Sequence, residues 1–163
     1  TPLLRGGLTG TAPFHWDGDM ASFTTLVHEV FGRRMNGGSL TTEQITALER
    51  WGDAQRVPSA SPPGDAPAVT RGRALFDDPT VGCATCHGGP RLTNNTTVNV
   101  GTGGAFQVPA LVGVAWRTPL MHNGCAATLR DRFGACGGGD SHGHTSQLAP
   151  AQLDDLVAYL DTL

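Results

Sequence analysis

The sequence predicts an all-α, loop-rich fold, and three observations carry that expectation. Apolar residues recur at helical spacing in residues 20–34, in 41–55 and again near the C-terminus. No parallel-sheet pattern interrupts them. The 23 glycines and 11 prolines among 163 residues call for long connections between the helices. Hydrophobic residues make up 39% of the chain, enough for a modest packed core.

Each element has its own local warrant. Residues 20–34 place Phe23, Leu26, Val27, Val30 and Phe31 along one stripe, with Asp17 or Asp19 positioned to cap them. Thr41-Thr42-Glu43-Gln44 is a capping-box start for a helix reaching about residue 55, with Ile45, Leu48 and Trp51 on one face. Residues 57–65 are rich in Pro and Ser and form a linker. This divides the chain into residues 1–56 and 66–163. Residues 66–76 form the next helix. Residues 88–118 are mostly loop, with a short strand expected near 97–100, and 128–133 form a short helix. Pro150 suits the first turn of the last helix, which presents Leu153, Leu156, Val157 and Leu160. That helix is expected to pack on the helix at 66–76.

The chemistry is concentrated in Gly82-Cys83-Ala84-Thr85-Cys86-His87. C-x-x-C-H is the attachment signature of c-type haem. The two thiols add to the two vinyl groups as thioethers, and the adjacent imidazole becomes the proximal iron ligand. A structural zinc site would need four ligands, and Cys125 and Cys136 do not form a second close pair. A thioredoxin-like motif would need a βαβ unit, which the sequence lacks. One covalent haem on Cys83, Cys86 and His87 is therefore expected, with the haem supplying part of the apolar core.

The remaining cysteines, Cys125 and Cys136, are expected to pair in a disulfide across Gly-rich sequence. Haem c attachment and a disulfide both point to the periplasm or another extracytoplasmic location. No stretch approaches membrane-spanning length, and no leader-like segment is evident, as in a mature chain or a fragment. A net charge of −3 without a basic run disfavours nucleic acid as a partner.

A weak internal repeat relates the two ends. Thr11-Ala12-Pro13-Phe14-His15-Trp16-Asp17-Gly18 aligns with Arg117-Thr118-Pro119-Leu120-Met121-His122-Asn123-Gly124. Leu40 to Ile45 aligns with Leu148 to Leu153, and Pro2-Leu3-Leu4 with Pro109-Ala110-Leu111. The first copy therefore resembles the part of a haem domain that follows the attachment motif, and it contains no C-x-x-C-H of its own.

The sixth iron ligand stays open at this level. His142, Met121 and His144 are the candidates, with His122 beside them, and the bland alternative is a five-coordinate iron. A thioether ligand would raise the potential and a second imidazole would lower it. Arg117 and Arg91 are candidates for pairing with haem propionates. Pro109 is a candidate for restraining the His87 side. Trp16 and Trp116 could lie at a haem edge or simply in the core.

Residues 66–163 resemble the C-terminal haem domain of the di-haem cytochrome c peroxidase family and its methylamine-dehydrogenase-maturation relatives. The carrying stretches are Gly72-Arg73-Ala74-Leu75-Phe76, the attachment motif, Asn99-Val100-Gly101-Thr102, Phe106-Gln107-Val108-Pro109-Ala110-Leu111 and Pro119-Leu120-Met121-His122-Asn123-Gly124. Residues 1–55 are similar to the post-haem part of the family's N-terminal domain, notably Phe14-His15-Trp16-Asp17-Gly18. The resemblance implies two haems, one for electron transfer and one reactive toward peroxide. This sequence departs in two places. Gly143, between two histidines, stands where the family carries a ligand methionine, and the first half has no attachment motif. The expected function is one-electron transfer with a redox protein partner, within a larger or multihaem system. The alternative is a peroxidase reducing hydrogen peroxide, which needs an open iron position and an acid–base group above it. A haem-bearing sensor or interaction module is the third possibility.

Overall fold

The structure is a computed structural model that describes residue 5, residues 7–57, residue 62 and residues 64–163. Most of the expected linker, and the Pro2-Leu3-Leu4 part of the repeat, lie outside the described residues. The fold is helical, with one small sheet.

The first helix, α1 (Phe23–Leu26), continues as a π-helical stretch over Val27–Arg34. Its cap is Ser22 rather than Asp17 or Asp19, and the Ser22 hydroxyl accepts from the Thr25 N–H at 3.1 Å. The short hydroxyl sits one residue before the helix, where it can reach a free N–H of the first turn. The second helix, α2 (Thr42–Ala54), starts with the expected capping box. Its partner in the second half is α5 (Pro150–Leu160), which has a glutamine at the same place but an alanine as its N-cap, so only the glutamine half of the box forms. The Gln44 side chain accepts from the Thr41 N–H at 2.8 Å, and the Gln152 side chain accepts from the Ala149 N–H at 2.9 Å.

The repeat is also visible in the backbone. Phe14 bridges to Met20, and Leu120 bridges to Ala126. The Gly18 N–H donates to the His15 carbonyl at 3.2 Å, as the Gly124 N–H does to Met121 at 3.2 Å. His15 and Met121 both take left-handed φ angles, 74° and 68°.

The two copies differ in what covers their last helix. Helix α3 (Ala66–Asp77) packs along α5, as expected. Gly72 lets the backbones meet, Phe76 sits edge-on to Tyr159 at 5.2 Å, and Arg71 pairs with Asp155 at 2.7 Å. Phe76, Val114, Leu129, Leu156 and Leu160 form the core there. No described helix covers α2 in this way. Of the three residues read onto one face of α2, Ile45 is buried against Leu8, Phe23 and Val27, while Leu48 and Trp51 are exposed. Leu48 aligns with Leu156, which is only 1% exposed. Substitution Ile45→Val removes one methylene from the small first-half cluster. It is expected to cost about 1 kcal/mol, read as a shift of roughly 2–4 °C in the thermal midpoint.

Between the halves, β1 (Thr97–Asn99) pairs antiparallel with β2 (Ala105–Gln107). One strand was expected there, and the hairpin supplies its partner. The region 128–133 forms only a 3₁₀ turn over Asp131–Phe133 instead of an α-helix. Gly134 and the glycines after Cys136 leave no apolar face long enough to sustain one. The first half docks on the hairpin and the loop before it. The Gln107 N–H donates to the Trp16 carbonyl at 2.8 Å, and the Asn95 amide donates to the Gly10 carbonyl at 2.9 Å.

Candidate haem site

The attachment motif lies on a single helical turn, α4 (Cys83–Cys86). Gly82 precedes it with φ of 84°, a left-handed conformation that glycine adopts without strain. Both cysteines are free thiols and half-buried. Burial pushes the Cys83 thiol pKa up, while the nearby Arg132 charge opposes that shift. The turn closes with the His87 N–H donating to the Cys83 carbonyl at 2.9 Å. The Asn94 N–H then ties the following loop to the Cys86 carbonyl at 2.8 Å.

These residues face a cavity of about 500 Å³. Its walls are mostly apolar: Phe76, Val81, Val98, Val108, Leu111, Leu129, Leu156 and Leu160 contribute. His87, His142, Met121, His144, Arg117 and Pro109, all expected at the site, line it as well. Trp16, from the first half, forms part of the wall. Trp116 is exposed on the surface, and Arg91 is not a lining residue. The Arg91 guanidinium donates to the Gly7 carbonyl at 3.1 Å and fastens the first half to the second.

His87 and His142 stand with ring centroids 6.3 Å apart and planes tilted by 38°. That separation accommodates one metal ion at about 2 Å from a nitrogen of each ring. Each Nδ1 is directed to a backbone carbonyl: His87 to Leu92 at 3.2 Å, His142 to Gly137 at 3.1 Å. Pro109 lines the same cavity as His87. A neutral imidazole donating from Nδ1 keeps its lone pair on Nε2, the arrangement of a ligating histidine. Burial pushes the His87 pKa down to about 4. Burial, reinforced by the Arg132 charge, pushes His142 down to about 3. Both rings are therefore neutral at neutral pH and able to donate to a metal.

Two further features complete the site, of which only the second, His122, was among the sequence candidates. Arg132 joins Arg117 as a second buried guanidinium in the cavity wall, and burial lowers both pKa values to about 10. Neither has a carboxylate partner among the described residues. Arg117 donates to the Ala110 carbonyl, and its Nε has no hydrogen-bond partner. Arg132 donates to the His142 carbonyl. Buried cations of this kind call for an anionic ligand group. The other feature is His122, stacked on Phe106 at 4.1 Å and edge-on to Trp16 at 6.4 Å, with a buried Nδ1 that lacks a protein partner. Its place in the Pro119–Gly124 run was the only available signal.

The cavity fits a haem on four counts. It offers two thiols on one wall, two opposed neutral imidazoles, an apolar lining and buried cations for carboxylates. The sequence independently matches the cytochrome c family model over residues 69–163. The chain belongs to the cytochrome c family. Membership implies covalently bound haem c, and the attachment motif lies inside the matched region. Among curated relatives, this cytochrome is 31% identical to hydrazine synthase subunit gamma of Kuenenia stuttgartiensis, over 59% of the chain and 41% of that protein. It is 40% identical to cytochrome-c peroxidase IdrP1 of Denitromonas iodatirespirans, over 37% of the chain and 18% of that protein. The aligned stretches thus span less than half of either relative. Among solved structures, hydrazine synthase of Kuenenia stuttgartiensis under xenon pressure matches with a TM-score of 0.83 at 23% identity, covering 98% of this cytochrome and 70% of that chain. A MauG-like protein associated with microbial copper homeostasis matches with a TM-score of 0.74 at 16% identity, over 100% of this cytochrome and 72% of that chain. These two likenesses establish the fold. Among the described residues, no helix is long and apolar enough to cross a membrane.

Proposed function

We propose that this cytochrome carries one haem, attached to Cys83 and Cys86 and ligated by His87 and His142, and that it exchanges single electrons with a redox protein partner. The pairing of His87 with His142 across the cavity carries this reading, because a second imidazole occupies the position that substrate would need. A haem bound there supplies a one-electron iron couple.

The chain's own residues set the terms of that couple. Cys83 and Cys86 fix the macrocycle by thioether bonds. The Leu92 carbonyl orients His87, and Gly137 orients His142. Arg117 supplies a positive charge for a propionate carboxylate. Arg132, near Cys83 and His142, adds positive charge that favours the reduced centre over the oxidised one. The apolar wall excludes water. Residues 66–163 serve as the haem domain and residues 1–56 as a haemless half that contributes Trp16. An extracytoplasmic location, where Cys125–Cys136 would persist, agrees with this role.

The likeness to a curated cytochrome-c peroxidase supports a second reading, peroxide reduction at this site. That reading requires His142 to leave the sixth position. Spectra of oxidised and reduced protein, with and without carbon monoxide, decide between them. Low-spin spectra indifferent to carbon monoxide are expected. A high-spin ferric form with ready carbon monoxide binding would replace electron transfer with the peroxidase reading. Attachment is checked separately. The double substitution Cys83→Ala/Cys86→Ala is expected to give an intact mass without haem, where the parent protein carries one. Haem retained under denaturing conditions by the double variant would refute attachment at these residues.

A further inference from the structure

We propose that the Cys125–Cys136 disulfide is a positioning element for the distal histidine, holding His142 at the iron by closing the loop that carries it. The proposal rests on the reading of His142 as the sixth ligand.

The loop from 125 to 144 has little structure of its own to hold a ligand in place. It contains five glycines and only 3₁₀ turns, at Asp131–Phe133, Ala135–Gly137 and Gly139–His142. Glycine-rich chain loses more conformational freedom on ordering than other sequence, so such a loop stays closed only if it is tied. The disulfide ties it across a separation of 11 residues.

Both side-chain ties on His142 come from that ring or its edge. Gly137, whose carbonyl accepts from His142 Nδ1, directly follows Cys136. Arg132, which donates to the His142 carbonyl, lies inside the ring. Gly137 also packs closely on the ring, since a Cβ there would overlap the Arg132 carbonyl. Opening the disulfide releases Cys136, and Gly137 after it, from the Leu120–Ala126 turn that contains Cys125. The acceptor that aims the His142 ring then loses its fixed place. On the other side of His142, His144 is still tied to the Val81 carbonyl at 2.9 Å. The chain would therefore stay near the cavity while the imidazole loses its aim. Cys125 is exposed, so a reductant can reach the bond.

The test uses the mature holoprotein in two forms. In one, Cys125→Ala/Cys136→Ala removes the disulfide. In the other, wild-type protein is treated with a water-soluble phosphine and iodoacetamide. Phosphine and water break the S–S bond to give two thiols and phosphine oxide, and iodoacetamide then caps the thiols. The second form avoids any effect of the substitutions on folding or haem attachment. Carbon monoxide titration of the ferrous protein is the readout, with His142→Ala as reference. Both opened forms are expected to gain carbon monoxide affinity at least about tenfold, because releasing a loop of this length relaxes a constraint worth more than a decade in an equilibrium constant. The inference is overturned if both opened forms keep wild-type affinity while His142→Ala gains it, since the disulfide would then only stabilise the fold. If His142→Ala itself matches wild type, the reading of His142 as ligand fails and this inference falls with it.

Discussion

Replacing His142 with alanine is expected to turn a low-spin centre into one that binds carbon monoxide readily, with the haem still attached. The attachment residues Cys83, Cys86 and His87 are untouched by this change. What disappears is the ring 6.3 Å from His87. An internal ligand competes with an external one, so the apparent affinity of the external ligand is reduced by the fraction of protein in the open form. If that fraction is about 1% in the parent, the variant gains roughly a hundredfold. The same substitution sorts the other candidates. Met121, His122 and His144 all line the cavity. A variant spectrum that stays low-spin with a raised potential would mark a thioether, and hence Met121, as the group that takes over. A parent protein whose spectrum and carbon monoxide affinity are unchanged by the substitution would show that His142 was never bound. Peroxide turnover appearing only in the variant would link the two functional readings, with the same cavity serving either according to whether the sixth position is filled.

The contrast between the two axial positions shows what a sequence can and cannot reveal. The proximal side is written in six contiguous residues, because both thioethers and the ligand must come from a single helical turn. The proposed distal side is set by where the chain returns more than fifty residues later, past the hairpin and a series of 3₁₀ turns. Nothing local distinguishes His142 from His144 or His122. They separate only once the loop is folded, when the His142 ring, bonded to the Gly137 carbonyl, lies 6.3 Å from His87 and His144 is left exposed. Arg132 was invisible for the same reason. In sequence it is an arginine between Asp131 and Phe133, and it becomes a buried cation only when the Gly-rich loop carries it into the cavity wall. Arg91 was the opposite case, a plausible cofactor partner that the fold instead uses to fasten the two halves.

Helices followed a similar rule. Capping is local: Thr41 and Gln44 form the full box that their spacing requires, while Gln152 makes only its half because Ala149 has no side-chain acceptor. The stripe Phe23, Leu26, Val27, Val30 and Phe31 suits an α-helix and a π-helix alike, so the widening after Leu26 could not be read from periodicity. The repeat was legible as residue matches, and the matched turns at His15–Gly18 and Met121–Gly124 give it a backbone counterpart. The exposure of Leu48 was not legible, because it depends on a covering helix that the second half has and the first half lacks among its described residues.

That covering helix depends on one glycine, and Gly72→Val is expected to destabilise the haem domain strongly. A Cβ at Gly72 would overlap the main-chain carbonyl of Asp155 and press on Tyr159. A backbone carbonyl in the middle of α5 cannot swing aside as a flexible side chain can, so α3 and α5 must move apart as bodies. The separation opens the Phe76–Tyr159 contact and the packing around Leu156, which is 1% exposed. It also strains the bidentate Arg71–Asp155 pair. Overpacking of a tight contact costs about 1–3 kcal/mol and more where backbone must shift, so a loss at or above about 3 kcal/mol is expected for valine. Thermal unfolding of the holoprotein would show it as a drop of roughly 6–12 °C in midpoint. The functional consequence follows from position. Phe76, Leu156 and Leu160 are both the α3–α5 core and a wall of the haem cavity, so loosening the crossing admits water beside the cofactor. A lowered midpoint with an altered spectrum at room temperature would tie the helix crossing to the haem environment. A Gly72→Val protein with the parent's midpoint would mean that α3 does not meet α5 at this residue.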